Sequence, residues 1–158
     1  MKKSLLLVFA ALTLSFSAQA AVHTCTPAAN SISWCLTQAD TLILTDGVYE
    51  EAYSISFEKP GVVLKAAEGA KPVIKLTGEW TSLQLYATIT FDGITVDGTG
   101  VCYYPISAFG SDAGTYTFKN CEFTGWTYWA ISNHYEANTH VDNVLIENCI
   151  FHDAAGSA

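Results

Sequence analysis

Three copies of one eight-residue pattern decide the fold: ITFDGITV at residues 89–96, YTFKNCEF at 116–123 and VLIENCIF at 144–151. The second copy begins 27 residues after the first, and the third begins 28 residues after the second. A repeat of this length is typical of stacked supersecondary units, in which each unit covers the apolar face of its neighbour. The spacing therefore predicts a solenoid rather than an ordinary globular core.

Within the copies, apolar columns flank one column that tolerates a left-handed backbone. The apolar columns are Phe91, Phe118 and Ile146; Ile94, Cys121 and Cys149; and Val96, Phe123 and Phe151. The column between them holds Gly93, Asn120 and Asn148, and glycine and asparagine adopt positive φ most readily. The pattern predicts two short strands joined by a sharp bend with positive φ, wound around a shared interior.

A second repeat indicates that each coil has at least three strands. Residues 99–107 (TGVCYYPIS) match residues 124–132 (TGWTYWAIS) at an offset of 25. Upstream, short β-branched runs bounded by turn residues predict further strands at 53–57, 62–65, 73–76 and 83–86, whereas only residues 31–38 favour a helix. We predict a single-domain, all-β parallel β-helix of about five coils.

The first twenty residues have the features of a secretory signal peptide. Lys2 and Lys3 precede an apolar run from Leu5 to Phe16, and small residues at 18–20 form a cleavage site. The predicted organisation is a signal peptide at 1–20, an amino-terminal cap at 21–39 and a β-helix domain at 40–158. We expect a secreted protein, in the periplasm, at the cell surface or outside the cell, without membrane insertion because no later apolar run is long enough.

The charge of the exported chain excludes some partners. Removal of the predicted signal peptide removes Lys2 and Lys3. It leaves five lysines, no arginine and all 15 acidic residues, so the net charge is 5 − 15 = −10. Nucleic acids need a basic face, and we therefore expect no nucleic-acid partner. A polyanionic sugar would also be repelled unless a cation bridged it to the protein.

Five cysteines in an exported chain favour a disulfide. Cys25 and Cys35 lie close together before the repeats begin, and we predict that they staple the cap. Cys121 and Cys149 share an interior column, where a bridge between parallel stacked strands would be strained, so free buried thiols are expected. Cys102 has no obvious partner.

Several motifs, in order along the chain, resemble a known family: DTLILTDGVY at 40–49, PGVVLKA at 60–66, FDGITV at 91–96, NCEF at 120–123 and NCIF at 148–151. They are similar to the amino-terminal half of secreted right-handed parallel β-helix proteins. These include the alginate lyase and chondroitinase B-like polysaccharide lyases, with their pectate lyase-like fold, and related uncharacterised Bacteroidetes domains. The resemblance implies right-handed winding and an association with polysaccharide.

The resemblance assigns no catalytic residue. Lyases of that family use a lysine base, an arginine and a calcium ion, and these groups belong to later coils than this chain contains. Calcium is therefore implied by the family but not by residues here, and we predict no cofactor. A column of Asp92, Lys119 and Glu147 could be read as a base between calcium-binding carboxylates, but a surface salt-bridge ladder explains its alternating charge.

Large aromatic residues on adjacent coils form the candidate carbohydrate-contact site: Tyr103, Tyr104, Trp126, Tyr128 and Trp129. If exposed, they would stack on sugar rings; if buried, they would be ordinary core. A later loop contains His134, Glu136, His140 and Asp142, for which a solvated loop is the simpler interpretation than a metal site.

We expect an exported carbohydrate-associated domain, the amino-terminal part of a lyase-like, polysaccharide-acting protein without its catalytic coils. One alternative is a non-catalytic glycan-binding or adhesin module. Another is a structural solenoid segment, because the third copy is followed by only seven residues, HDAAGSA, and no polar cap. This predicts either a fragment that continues into further coils or an open end that self-associates edge to edge.

Overall fold

A computed structural model describes residues 21–109, 114–133 and 141–156. The predicted signal peptide at 1–20 lies outside these ranges. The described chain contains a six-residue helix, α1 (Ser31–Leu36), and short strands. The strands are β1 (Val22–Cys25), β2 (Thr41–Leu44), β3 (Gly47–Glu51), β4 (Ile55–Phe57), β5 (Val62–Ala66), β6 (Pro72–Leu76), β7 (Leu83–Leu85), β8 (Ile89–Asp92), β9 (Thr95–Asp97), β10 (Ile106–Ala108), β11 (Gly114–Lys119), β12 (Glu122–Thr124), β13 (Ile131–Asn133), β14 (Val141–Glu147) and β15 (Ile150–His152).

The strands stack into three parallel sheets. Sheet A has the order β1-β2-β5-β8-β11-β14, sheet B the order β3-β6-β9-β12-β15, and sheet C the order β4-β7-β10-β13. The chain visits sheet A, then B, then C in each turn, so β2 to β13 make about four turns and β14 and β15 begin another. The predicted all-β solenoid is confirmed, with about four turns where about five coils were predicted. The hand of the winding and the capping role of residues 21–39 stay predictions.

The register matches the repeat in the sequence. Phe118 pairs with Phe91 on one side and with Ile146 on the other, and Phe123 lies between Val96 and Phe151. Alternation along each strand places these side chains inside, where the rings of Phe91 and Phe118 stack with centroids 5.5 Å apart. The interior is therefore a continuous apolar column shared by all turns.

The bend between sheets A and B has the predicted backbone. Gly93 has φ 72°, and Asn120 and Asn148 both have φ 53°. The two asparagines also form a ladder, because Asn120 Nδ2 donates to Asp92 Oδ1 at 2.8 Å and Asn148 Nδ2 donates to Asn120 Oδ1 at 3.4 Å. Asparagine thus supplies both the left-handed conformation and a contact between successive turns.

The segment at 21–39 contains more regular structure than an irregular cap. β1 extends sheet A by pairing with β2, and α1 lies where the sequence favoured a helix. Cys25 and Cys35 form a disulfide, with their Cα atoms 6.2 Å apart. The buried Glu51 accepts a hydrogen bond from the Ile32 N–H at 3.0 Å; burial raises the pKa of this carboxyl, while the backbone hydrogen bonds oppose the rise.

The other cysteines remain thiols, as predicted, but only two of them are buried. Burial raises the pKa of Cys102 to about 12 and that of Cys121 to about 11, so both side chains behave as small hydrophobic groups. Cys149 is partly exposed because it lies on the last described turn, which no further turn covers. Val144, Ile146 and Phe151 are exposed for the same reason, whereas Leu145 and Ile150 are exposed because they face outward, in register with Thr117 and Glu122.

Candidate functional site

Five aromatic side chains gather on three successive loops that lead from sheet B to sheet C. These loops follow β6, β9 and β12, and their rings form what we call the aromatic cluster: Trp80, Tyr103, Tyr104, Tyr128 and Trp129. Four of its members were predicted as carbohydrate-contact residues. The stacking of the loops brings them together across 49 residues of sequence.

Backbone hydrogen bonds hold the three loops in register. The Tyr103 N–H donates to the Glu79 carbonyl at 2.8 Å, and the N–H groups of Tyr128 and Trp129 both lie 3.3 Å from the Tyr103 carbonyl. The loops also need a glycine at Gly98, because a Cβ there would come within 2.7 Å of the Gly125 carbonyl oxygen. Each loop is therefore a fixed support for the rings that it carries.

Tyr103 lies at the centre of the aromatic cluster. Its ring makes edge contacts with Trp80 and Tyr128, with centroid distances of 4.7 and 4.9 Å. Its hydroxyl lies 3.3 Å from Glu79 Oε2, and the charge of that carboxylate is the main reason why the pKa of Tyr103 is raised. The edge contacts orient the two outer rings, Trp80 and Tyr128, which remain 70% and 59% exposed.

Tyr104 and Trp129 form the parallel stack that the sequence alignment predicted. Their centroids lie 5.4 Å apart and their planes differ by 14°. This stack covers one face of each ring, and Tyr104, which is partly buried, supports Trp129. Trp129 remains 58% exposed, and it is therefore the member of the pair available to a ligand.

Trp126 does not belong to the aromatic cluster, although it was predicted with the other four. It is partly buried, packs against the core and makes an edge contact with Phe151 at 6.4 Å. Trp80 was missed, although a signal existed: Trp80, Tyr104 and Trp129 follow one another at offsets of 24 and 25 residues, close to the period of the coil. The EWTS stretch around Trp80 matches the later loops too weakly for the repeat to be visible there.

A groove runs beside the cluster over the outer surface of sheet C, and we call it the sheet C groove. Trp80, Tyr104 and Trp129 line it, together with uncharged residues of sheet C and its borders: Ser82, Gln84, Ser107, Phe109, Ser132 and Asn133. Ser107 is 5% exposed although it points away from the interior, so it lies at the floor of the groove. Gln84 is oriented by a hydrogen bond from Ser56 Oγ to its Oε1 at 3.1 Å.

The opposite side of the cluster faces a second, more polar groove. Its lining includes Glu79, Tyr103, Thr127, Tyr128 and the backbone around Gly100. A third cleft lies between α1 and the end of β4, where Lys59 is 3.6 Å from Asp40. Phe57 is the one aromatic side chain in its described lining and is buried, so this cleft lacks an exposed ring.

The charged column on sheet A contains one ion pair of the predicted salt-bridge ladder. Lys119 is in register with Asp92 and Glu147 on the neighbouring strands, and its Nζ lies 3.4 Å from Glu147 Oε2. The side chains are at least one-third exposed, and ion pairs in such positions contribute about 0–1 kcal/mol. This geometry gives Lys119 a structural partner and does not place it in a cleft.

The candidate metal ligands do not form a described site. His134, Glu136 and His140, and the side chain of Asp142, lie outside the described residues. Among the described residues, His23 comes close to Cys25 and Cys35, but the two sulfur atoms are bonded to each other and are not available as ligands.

Comparisons with protein-family models, with curated proteins and with solved structures gave no significant match. Within the described ranges, no helix has the length and apolar character needed to cross a membrane.

Proposed function

We propose that this chain is an exported, carbohydrate-associated β-solenoid domain that contacts glycan through the aromatic cluster. The observation that carries the proposal is the exposure of Trp80, Tyr128 and Trp129 on the two outer loops of a stack of three, beside the sheet C groove. A large aromatic ring that is exposed to water leaves its apolar surface unburied. A group of such rings on one surface is typical of a site that a partner covers. Several of them, held in fixed orientation next to a groove, favour a ligand-contact surface.

The chemistry of the surface suits a sugar. A sugar ring has an apolar face of C–H groups that packs on an indole, and a rim of hydroxyl groups that needs hydrogen-bonding partners. Trp129 supplies the indole, and Gln84 and Ser132 supply the partners on the adjoining sheet. Binding sites in general combine apolar walls with a few polar groups in this way.

The proposal extends to the larger setting of the domain. The motifs that resemble polysaccharide lyases favour a polysaccharide-acting protein, with this solenoid as its amino-terminal part and its catalytic groups on other coils. In that setting the aromatic cluster holds the polymer and other coils carry the chemistry. In the alternative of an adhesin or a glycan-binding module, the cluster alone accounts for the function.

Titration calorimetry of the purified protein against a panel of hexasaccharides tests the glycan contact. We expect one or more sugars to bind, and we expect Trp129→Ala and Trp80→Ala to weaken binding about tenfold or more, equivalent to about 1.4 kcal/mol. The reason is the loss of the exposed indole faces that the ligand covers.

Trp34→Ala is the matched control. Trp34 is also a tryptophan that is 58% exposed, but it lies on α1 beside His23, away from the aromatic cluster. This variant should bind as the unmodified protein does. Equal losses in Trp34→Ala and Trp129→Ala, or no binding to any sugar of the panel, would refute the proposed contact.

One specific observation favours a second candidate function, that of a structural segment that pairs through its last turn. Ile146 and Phe151, which lie in interior columns, are 47% and 39% exposed, and β13, β14 and β15 each occupy an edge of their sheet. Exposed sheet edges with apolar side chains are templates for pairing with another chain. Here the partner would be a second copy or a further coil, and the oligomeric state in solution tests it.

A further inference from the structure

The three outer faces of the solenoid differ in charge. On sheet A the outward column contains Lys65, Asp92, Lys119 and Glu147, in register from strand to strand. On sheet B the outward column contains Glu50, Lys75, Asp97, Thr124 and His152. Both faces alternate in sign along much of their length.

Sheet C has no charged residue in its outward column. Ser56, Gln84, Ser107 and Ser132 are in register on β4, β7, β10 and β13. These are small or amide-bearing neutral side chains, and the described lining of the sheet C groove contains no acidic or basic residue. Among the described residues, the face beside the aromatic cluster is thus the one whose outward column has no charge.

Among the described residues, no lysine lines the sheet C groove. All five lysines of the exported chain are described, and the loops at 110–113 and 134–140 contain no lysine or arginine. Lys59, Lys75 and Lys119 lie within 3.6 Å of carboxylates on other parts of the solenoid, Lys65 projects from sheet A, and Lys71 precedes β6 of sheet B. The charged group in contact with the cluster is the carboxylate of Glu79, which is negative.

We infer that the sheet C groove binds a neutral glycan and discriminates against polymers of uronic acid. The inference rests on the proposed function and names the substrate class of the same site. A uronate has one carboxylate per sugar, and burying it beside uncharged groups would leave that charge without a partner. The negative net charge, −8 for the full chain and −10 without residues 1–20, adds a repulsion that a neutral sugar does not meet.

The discrimination separates this groove from the uronate chemistry of the lyases that the motifs resemble. A lyase site needs positive groups that neutralise the carboxylate of its substrate, and the described groove has none. The groove instead has hydroxyl and amide groups, which can form hydrogen bonds with sugar hydroxyls without burying a charge. Any uronate-directed step of a longer protein would occur elsewhere along the solenoid.

Matched pairs of oligosaccharides test the inference. The probes are cellohexaose and mannohexaose, and the glucuronate and mannuronate hexamers that differ from them at C6. We expect at least one neutral hexamer to bind at least tenfold more tightly than its uronate counterpart. Between about 0.05 and 0.5 M NaCl the affinity of the neutral sugar should stay within twofold, and weak uronate binding should rise as salt screens the repulsion.

A charge placed in the groove provides the second arm. Gln84→Lys introduces a cation beside the aromatic wall, and it should raise uronate affinity at low salt about fivefold or more. Gln38→Lys makes the same change in net charge at an exposed position beyond the end of α1, and it should leave uronate affinity within twofold.

The outcomes separate this inference from the proposed function. Uronate binding that equals or exceeds neutral binding and falls with salt would overturn the neutral-glycan inference, while leaving the aromatic contact in place if Trp129→Ala still weakens it. A gain in Gln38→Lys equal to that in Gln84→Lys would overturn the assignment to the sheet C groove. No binding by either class would end both proposals.

Discussion

The bend between sheets A and B depends on one residue in each turn. Gly93, Asn120 and Asn148 all have positive φ, a conformation that costs other L-residues about 1–2 kcal/mol. The sequence pattern predicted these positions because glycine and asparagine are the residue types that tolerate the conformation. It did not predict Thr99 and Asp153, which also have positive φ. Threonine has no preference for that region, so tertiary contacts decide its backbone.

Two substitutions at Asn120 separate backbone conformation from side-chain contacts. Asn120→Ala should lower the free energy of unfolding by about 1–2 kcal/mol, because alanine meets the left-handed penalty and loses the hydrogen bond to Asp92. Asn120→Gly loses the same hydrogen bond, but glycine adopts positive φ without penalty. It should therefore be less destabilising than Asn120→Ala by about 1 kcal/mol. Urea denaturation measures both, and a glycine variant less stable than the alanine variant would contradict this explanation.

His152 introduces a pH dependence on the last described turn. Its ring nitrogens lie 2.8 Å from Glu122 Oε1 and 2.8 Å from Asp153 Oδ2, and the hydrogen bond to Glu122 is the main reason why the pKa of His152 is raised. A raised histidine pKa means that the charged form stabilises the folded state. This contribution is full below the ordinary pKa of about 6.5 and is lost as pH rises through the folded-state pKa.

We therefore expect stability to fall as pH rises above about 6.5, and NMR titration of the ring to give a pKa above that value. Glu122→Gln should lower the pKa of His152, because the amide no longer provides the charge that holds the proton. In His152→Gln, the part of the pH dependence above about 6.5 should disappear from denaturation curves. A titration of His152 unaffected by Glu122→Gln would show that the contact is absent in solution.

At the scale of single strands, alternation made most of the structure predictable. The expected runs at 62–65, 73–76 and 83–86 match β5, β6 and β7 within one residue at each end. The run at 53–57 is shorter in the structure, because Tyr53 is exposed and Ser54 Oγ donates to the Trp80 carbonyl. β1 was not predicted, since its only strand partner is β2, about twenty residues away, and nothing in its four residues shows the repeat.

Phe123 tests the packing between neighbouring strands. It is fully buried between Val96 and Phe151, and its ring stacks on Phe151 with centroids 4.9 Å apart. Phe123→Ala should lower the free energy of unfolding by about 3–5 kcal/mol, because it opens a cavity between turns.

Phe151→Ala is the comparison for Phe123→Ala. Phe151 has the same type of side chain in the same column, but it is 39% exposed, so its truncation should cost clearly less. Chemical denaturation measures both changes. A loss below about 1 kcal/mol for Phe123→Ala would mean that Phe123 is not a core residue.

At the scale of the whole molecule, the solenoid is a stack in which each turn contacts its neighbours. The last described turn exposes Val144, Ile146 and Phe151, which lie in columns that the inner turns bury. If this surface pairs copies of the protein, sedimentation should show a concentration-dependent dimer. Ile146→Lys should shift the protein to monomer by placing charge on the pairing surface.

Thr95→Lys is the control for the pairing surface. Thr95 lies in a second outward column of sheet B, two turns before the last described turn, so the same charge is added away from the pairing surface. This variant should dimerise as the unmodified protein does. A monomer at all concentrations, or equal dissociation in the two variants, would exclude pairing through the last turn.

The sequence by itself determined the repeat, the all-β solenoid, the residues of the bend and four of the five members of the aromatic cluster. These features follow from local rules, since strand alternation and positive φ depend on residue type at a given position. Only the tertiary structure decided that Trp80 joins the cluster, that Trp126 leaves it for the core, and that sheet C alone is uncharged. Those facts depend on which outward columns come into register and on which faces the turns cover. Residues about 25 positions apart meet only when the chain is wound, so no local pattern contains that information.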